Sequence, residues 1–264
     1  MPRPTLWSGQ IRLMHSPPRD AVSNMALDEA MLITAAEQET TLVRLYSWDR
    51  PSVSFGRNQR CAGIYGPERC EALSVPAVRR LTGGRALLHG RELTYAVAAP
   101  NAVAPTLRGG YEAINEILLD ALQSLGVPAA LSAPAARTPS PDLAPCFESP
   151  SAGELVVGRR KLVGSAQHRD ATAFIQHGSI LLDDDQGVLQ ALSLAPLPTV
   201  PPPATLREYL GSGLDSGTVA TAISESLRRA ATGDIVSQSD TMLPRHHVEA
   251  AASRYRDPRW TWRR

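Results

Sequence analysis

Residues 153–183 read GELVVGRRKLVGSAQHRDATAFIQHGSILLD, and they determine which class of sheet the chain forms. Three runs of apolar and β-branched residues predict three strands, joined by two turns of three residues each. The strands are expected at about 154–157, 161–166 and 172–182, and the turns at 158–160 and 168–170. Turns this short join only antiparallel neighbours, because a parallel crossover needs a dozen or more residues. The segment therefore predicts an antiparallel meander.

Helical periodicity lies on both sides of this meander. We expect helices at about 23–37, 110–125 and 216–231. Ser23 is expected to cap the first helix, with Asp28 and Glu29 near its positive end. Between the first two helices, TLVRLYSW, PSVSFG and RALLHGRELTYAVAAP predict further strands. The order helix, strands, helix, strands, helix predicts an α/β domain with a mixed, largely antiparallel sheet. The proline-rich stretches 127–145 and 195–204 are expected to be loops.

Composition excludes several classes of protein. The chain has 264 residues, of which 43% are hydrophobic, so it can bury a sizeable core. The 27 Lys and Arg nearly balance 26 Asp and Glu, which gives no general case for binding nucleic acid or an anionic membrane. No apolar run approaches the ~20 residues of a membrane span, and no secretory signal is recognisable, so we expect a cytoplasmic protein. Neither the P-loop pattern nor the GxGxxG fingerprint is present.

The three cysteines are the first candidates for chemistry. Cys61, Cys70 and Cys146 cannot all pair with one another, and their spacing matches no zinc site, so we expect no metal. Cys61 and Cys70 are most simply structural thiols. Cys146 lies between a proline-rich loop and a predicted strand, where it is either an inert buried thiol or a nucleophile. A thiol with a pKa near 8.5 is only about 3% thiolate at pH 7, so a nucleophile needs a nearby cation.

Lys161 is the best candidate for that cation, since the predicted hairpin brings it towards the segment that follows Cys146. The alternative is a surface lysine at a strand end. A second candidate region is RRLTGGRALLH, residues 79–89, whose glycine pair allows a ligand to approach the backbone amides and whose arginines can face acidic groups. An ordinary tight turn explains this region equally well. His177 is either directed at a ligand or a hydrogen-bonded core imidazole.

Five blocks together resemble one family. They are SNMALDEAML, SFGRNQ, RRLTGGRALLHGRELTYAV, CFESPSAGELVVGRRKLVGSAQHR and IQHGSILL, in this order between about residues 23 and 182. The chain resembles the lipoate–protein ligase and octanoyltransferase family, and most nearly its octanoyl-[acyl carrier protein]:protein octanoyltransferase branch. The rest of the chain matches only loosely.

The resemblance implies the biotin/lipoate protein ligase catalytic fold, as one catalytic domain over 1–264 with a family core at about 23–235 and a short C-terminal extension. It implies transfer of an octanoyl group from octanoyl-acyl carrier protein to a lysine of a lipoyl domain, without a cofactor. The acceptor would be a protein such as the glycine cleavage H protein or a 2-oxoacid dehydrogenase subunit. No nucleic acid or membrane takes part.

The resemblance also implies roles for individual residues. Cys146 would hold the acyl group as a thioester, and Lys161 would lower the pKa of its thiol. The residues implied to line the acyl pocket are Arg80, Gly83, Gly84, His89, Gly164, Ser165, Ala166, His177 and Gly178. Arginines such as Arg79, Arg159 and Arg160 are expected to help dock the acidic protein substrates.

Three other functions remain open at this point. An ATP-dependent lipoate–protein ligase would share the arginine–glycine block and the lysine block, but such ligases typically lack the cysteine and many have a further C-terminal domain. An amidotransferase that moves acyl groups between lipoyl domains would use the same cysteine with a different donor. A binding protein that has kept the fold would have no activity.

Overall fold

A mixed six-stranded sheet is the centre of the molecule. The structure is a computed structural model, and it describes residues 5–133 and 153–263. From one edge to the other, the strands are β10 (Val163–Arg169), β11 (Ala173–Leu181), β6 (Glu92–Pro100), β2 (Thr41–Tyr46), β1 (Ile11–His15) and β12 (Ile235–Ser237). The first four are antiparallel, whereas β1 pairs in parallel with β2 and β12. The predicted mixed, largely antiparallel sheet is confirmed.

Two small sheets lie beside the large one. One has the order β4 (Ala77–Arg79), β3 (Ser52–Phe55) and β5 (Leu87–His89), and the other has the order β7 (Ala130–Leu131), β8 (Leu155–Val157) and β9 (Arg160–Lys161). β3 pairs in parallel with β4 and antiparallel with β5. The β7–β8–β9 sheet is antiparallel throughout. The first small sheet contains parts of the arginine–glycine block at residues 79–89, and the second contains Lys161.

Helices cover both faces of the large sheet. The helices are α1 (Ala21–Glu37), α2 (Pro67–Ala72), α3 (Leu107–Ser124), α4 (Val188–Leu192), α5 (Arg207–Leu210), α6 (Ser216–Ala230), α7 (Arg245–Arg256) and α8 (Pro258–Thr261), with a 3-10 turn at Asp240–Met242. On one face, Leu45 and Val97 pack with Ile114 of α3 and Ile223 of α6. On the other face, the sheet packs against α1, and α7 packs against α1. None of the described helices combines the length and apolarity that crossing a membrane requires.

The three predicted helices are present; α1 and α3 start two to three residues earlier than predicted, and α6 starts at Ser216 as predicted. α1 begins at Ala21 because Asp20 is its N-cap and accepts a hydrogen bond from the Ser23 backbone N–H at 3.0 Å. The predicted cap at Ser23 is therefore wrong. Asp28 does not lie in the first turn either; it is buried about two turns from the start of the helix at Ala21. A carboxylate at that depth acts through its direct partners rather than through the helix dipole.

The predicted meander is confirmed as antiparallel, but its strands are divided between two sheets. The change occurs at Leu162, whose N–H donates to Leu155 at 3.0 Å while its carbonyl accepts from Leu181 at 3.3 Å. His168 belongs to β10 and not to a turn, because Asp170 makes the turn by accepting from the N–H groups of Thr172 and Ala173.

The two proline-rich stretches differ. Residues 195–204 have no helix or strand, as predicted. Within 127–145, the structure places the short strand β7 where a loop was expected, and residues 134–145 lie outside the described part of the chain.

The C-terminal residues, expected to be a short extension, form an integral part of the packing. Tyr255 of α7 is buried against α1. Arg79 of β4 donates to the Thr261 carbonyl at 2.8 Å, and the Trp260 indole N–H donates to the Arg79 carbonyl at 2.7 Å. The end of the chain is thereby joined to the small β3–β4–β5 sheet. Sequence periodicity did not reveal α7, because alanine supplies most of its buried face.

A buried ion pair joins α1 to the large sheet. Arg44 of β2 has no exposed side-chain surface and donates to Asp28 at 3.1 Å. It also donates to the Asn24 side chain at 2.7 Å and to the Ser16 hydroxyl at 2.8 Å. Tyr46 donates to the second oxygen of Asp28 at 2.8 Å. Because the charges are paired and hydrogen-bonded, their burial is tolerated.

We expect Arg44→Met to lower the free energy of unfolding by about 3–5 kcal/mol, because Asp28 then stays buried without its cation. Denaturant unfolding followed by circular dichroism measures this loss. The matched control is Arg108→Met, whose side chain is 88% exposed and paired with Glu112 on the surface of α3. The control should barely move the midpoint. Similar midpoint losses in the two variants would contradict the assignment.

Candidate active site

A cavity opens where α1, β10, β11 and the β3–β4–β5 sheet meet. The space in it that a water-sized sphere can occupy is about 20 Å³, and most of its accessible surface is apolar. Its lining residues are Met25, Tyr46, Arg80, Leu87, His89, Thr94, Gly164, Ser165, Ala166, His177, Gly178 and Ser179. Seven of the nine residues that the resemblance implied for an acyl pocket are in this set, namely Arg80, His89, Gly164, Ser165, Ala166, His177 and Gly178. A mostly apolar lining with a few polar side chains is typical of a ligand site.

The remaining two implied residues, Gly83 and Gly84, form the loop beside the cavity. Gly84 has φ +92°, and a Cβ there would lie 2.6 Å from Nη2 of Arg80 and 3.9 Å from the Ala166 Cβ. Arg80 holds this loop by donating to the Gly83 carbonyl at 2.9 Å and to the Arg85 carbonyl at 2.7 Å. The arginine–glycine block thus builds one wall of the cavity, and glycine at position 84 is a conformational requirement.

Gly178 makes room for the cavity's other wall. A Cβ at this position would lie 2.6 Å from the Gly164 carbonyl oxygen and 2.7 Å from Cε1 of Tyr95. β10 and β11 approach each other this closely only because residue 178 has no side chain.

His89 lies at the closed end of the cavity. Its Nδ1 is 2.7 Å from Oε1 of Glu92, and its Nε2 is 2.7 Å from the Ser54 hydroxyl. The Trp48 ring stacks on the imidazole with centroids 3.9 Å apart. Glu92 also accepts from Thr94 at 2.6 Å. The imidazole is therefore held in one orientation.

His177 is a buried, hydrogen-bonded imidazole, and its role towards a ligand stays a prediction. It lines the cavity, and both of its ring nitrogens have partners. Nδ1 lies 2.8 Å from Asp28, and Nε2 lies 2.6 Å from the Thr82 hydroxyl. Asp28 thereby connects the Arg44 ion pair of the core to the cavity wall.

Lys161 is buried and not a surface lysine. Its ammonium donates to Glu154 at 2.8 Å, and the two side chains are 4% and 7% exposed. Glu154 was not predicted as a partner, although the short hairpin that separates the two residues contained the signal. Among the described residues that line the cavity, Lys161 does not occur.

Tyr95 links this ion pair to the cavity. Its hydroxyl lies 2.7 Å from the Ser165 hydroxyl and accepts from Gln176 at 2.8 Å. Burial raises the pKa of Tyr95 to about 12, and the Glu154 charge contributes to the rise. Glu154 is therefore close enough to act on a hydroxyl that borders the cavity-lining Ser165.

The cysteines differ in what the structure describes of them. Cys146 lies outside the described residues, so its proposed role stays a prediction. Cys61 and Cys70 are buried, as expected of structural thiols. Burial raises the pKa of the Cys61 thiol, although Arg79 opposes this, and it raises the pKa of Cys70 to about 11. Neither is a strong nucleophile at neutral pH.

The predicted docking arginines are only partly exposed. Arg79 is fully buried and donates to the carbonyls of Gly56 and Gln59, so the prediction that it docks a partner is wrong. Arg160 is paired with Glu208. Arg159 is exposed in the turn between β8 and β9. In the part of the chain that the structure describes, no group of three or more His, Cys, Asp or Glu is arranged to hold a metal ion.

Solved structures share this fold over nearly the whole chain. A lipoate-protein ligase A bound with ATP superposes with a TM-score of 0.74, covering 97% of this chain and 98% of that chain at 18% identity. A protein from T. acidophilum described as a lipoate protein ligase with bound lipoic acid gives the same score, identity and coverage of this chain, and 99% of its own chain is covered. At this identity, the likeness shows the fold alone.

Sequence comparison identifies closer relatives. An Octanoyltransferase LipM of Kyrpidia tusciae is 35% identical over 271 residues, which cover 96% of this chain and 98% of the relative. An Octanoyltransferase LipM of Exiguobacterium sibiricum is 33% identical, with coverage of 91% and 94%. Residues 20–228 match the family model described as the lipoyl protein ligase A/B catalytic domain. The chain therefore belongs to the lipoyl protein ligase A/B catalytic domain family.

Proposed function

We propose that this protein transfers an octanoyl group from octanoyl-acyl carrier protein to a lysine of a lipoyl-domain protein. The observation that supports this most is the match, over almost the full length of both chains, to relatives named as octanoyltransferases. The cavity gives independent support, because its surface is largely apolar, as the site of an acyl chain has to be. Each methylene buried there contributes about 0.8 kcal/mol to binding, or about 4–5 kcal/mol for most of an octanoyl chain.

The proposed reaction has two acyl-transfer steps. The Cys146 thiolate attacks the donor thioester, and the carrier leaves as a thiolate that takes up a proton, which gives an acyl-enzyme. The neutral amine of the acceptor lysine then attacks the acyl-enzyme, forms an amide and releases the Cys146 sulfur. The amine proton passes to the departing thiolate or to solvent. No ATP is consumed, because the donor thioester is already an activated acyl group.

The Lys161–Glu154 pair has a defined part in this proposal. The ammonium of Lys161 favours the thiolate form of Cys146 electrostatically. Glu154 holds the ammonium in one position by the 2.8 Å hydrogen bond. Glu154 is then a positioning residue, since it acts through Lys161 and not on the reacting atoms.

The covalent step predicts a mass change. Mixed with octanoyl-acyl carrier protein in the absence of acceptor, the protein should gain one octanoyl group by intact-mass spectrometry, and the adduct should disappear with hydroxylamine. Cys146→Ala should lose the adduct and the transfer activity. Cys70→Ala is the matched control, because the Cys70 thiol is buried and its pKa is about 11. It should keep both.

Three outcomes would contradict the proposal. Full transfer activity in Cys146→Ala would exclude the covalent route. Octanoylation of the lipoyl domain from octanoate and ATP, with none from the carrier-bound donor, would show a ligase instead of a transferase. A donor preference for an octanoylated lipoyl domain over the carrier would show an amidotransferase.

The ion pair predicts a shift in thiol reactivity. In the double variant Lys161→Met/Glu154→Gln, both buried charges are removed together, so neither partner is left unpaired. The pKa of Cys146 should rise by about one unit or more, because the thiolate loses its cation. The rate of iodoacetamide modification of Cys146 against pH, followed by peptide mass spectrometry, measures the shift.

The control for this experiment is Arg159→Gln, which removes an exposed cation from the adjacent turn. Its alkylation profile should coincide with that of the unmodified protein, because solvent screens an exposed charge. A double variant whose profile also coincides, with an unchanged melting temperature, would remove Lys161 from the proposed mechanism.

A further inference from the structure

Arg57 and His168 form a pair of basic side chains outside the cavity described above. Nη1 of Arg57 lies 3.3 Å from Nδ1 and 3.4 Å from Nε2 of His168. Such equal distances to both nitrogens do not describe a single directed hydrogen bond. Both side chains are partly exposed. A guanidinium beside an imidazole places one fixed positive charge and several N–H donors at this surface.

The pair lies on the open side of the cavity. His168 follows the cavity-lining Ala166 by two residues on β10, so both side chains are on the same face of the strand, about 7 Å apart along it. Exposure along β10 increases in the same direction, from the buried Gly164 to the partly exposed His168. The cavity therefore opens towards His168.

Arg57 is fixed beside the same opening. Its backbone N–H donates to the Thr82 carbonyl at 2.8 Å, and the Thr82 hydroxyl contacts the cavity-lining His177. The Arg57 carbonyl accepts from Arg263 at 2.7 Å, which attaches the C-terminal residues to this segment. The Arg57 backbone is fixed by both hydrogen bonds, and its partly exposed guanidinium is accessible to a ligand.

Asp170 and Glu29 are the carboxylates whose charges act on His168, and each has other partners. Asp170 accepts from the N–H groups of Thr172 and Ala173, and Glu29 is paired with Arg254. Within residues 5–133 and 153–263, neither makes an ion pair with Arg57 or His168. Burial and the Arg57 charge lower the pKa of His168, although Asp170 and Glu29 oppose this. The positive charge of the pair therefore lies mainly on Arg57.

We propose that Arg57 and His168 bind the phosphate group of the acyl donor's phosphopantetheine arm while the acyl chain occupies the cavity. The inference rests on the proposed function and adds the part of the donor that is recognised. A guanidinium presents a fork of N–H donors that matches phosphate oxygens, and the imidazole N–H supplies a further donor. The thioester lies at one end of such an arm and the phosphate at the other. With the acyl chain inside the cavity, the arm leaves through the opening beside His168, and the phosphate therefore lies outside the cavity.

The shared chemistry is a phosphate, which could come from a pantetheine arm or from a nucleotide. The test uses the full chain, a lipoyl domain as acceptor, and two small donors, octanoyl-4′-phosphopantetheine and octanoyl-pantetheine. We expect the phosphorylated donor to have a kcat/KM about tenfold or more above that of the other donor, as charge-assisted hydrogen bonds imply. Arg57→Gln and His168→Gln should narrow this ratio towards one, chiefly through KM.

The matched control is Arg60→Gln, which removes an exposed cation three residues from Arg57. It should retain both the activity and the donor ratio. Thermal unfolding of each variant identifies any loss of fold. A ratio near one in the unmodified protein, or a ratio unchanged in a folded Arg57→Gln, would overturn the inference while the proposed function stands.

Measurements with ATP distinguish the two sources of phosphate. ATP added to the phosphopantetheine reaction should not inhibit it at concentrations near the donor KM, and octanoate with ATP should give no transfer. Arg57-dependent inhibition by ATP together with ATP-dependent octanoylation would assign the pair to a nucleotide and overturn both proposals. Absence of transfer from any thioester donor would overturn the proposed function itself.

Discussion

One buried carboxylate, that of Asp28, connects the core to the candidate site. It accepts from Arg44 and Tyr46 in the sheet, and it contacts His177 in the cavity wall. A buried charge is stable only with such a set of partners. The position of α1 on the sheet, the orientation of His177 and, through it, the Thr82 contact all depend on this residue. The hydrogen bonds of Asp28 therefore stabilise the core and also orient His177, so a substitution of Asp28 changes both.

Steric limits on the backbone complete the site. Gly178 allows β10 and β11 to approach beside Tyr95, and Gly84 takes a positive φ next to Arg80. A Cβ on Gly56 would lie 1.9 Å from the Gly84 carbonyl oxygen, so the β3–β4–β5 sheet also packs on bare backbone. The cavity is formed where three main-chain segments come closer than side chains permit.

The fold class was predictable because strand alternation, short turns and helical periodicity are local properties of the sequence. The meander and the three long helices follow from them, and the resemblance named seven of the twelve residues that line the cavity. What could not be predicted depends on distance in three dimensions. The Glu154 partner of Lys161, the burial of Arg79 and the transfer of the chain between sheets at Leu162 each involve contacts that periodicity does not report. The cap at Asp20 was missed because Ser23 is equally suited to that role by residue type.

The two backbone hydrogen bonds of Leu162 couple the hairpin sheet to the large sheet. Its N–H belongs to the hairpin sheet and its carbonyl to the large sheet, so one residue is bonded to both. Lys161 and Gly164 stand on either side of it, and a rotation of one sheet against the other would break a bond at this point. A shift of the hairpin that contains Lys161 would therefore also displace Gly164 in the cavity wall.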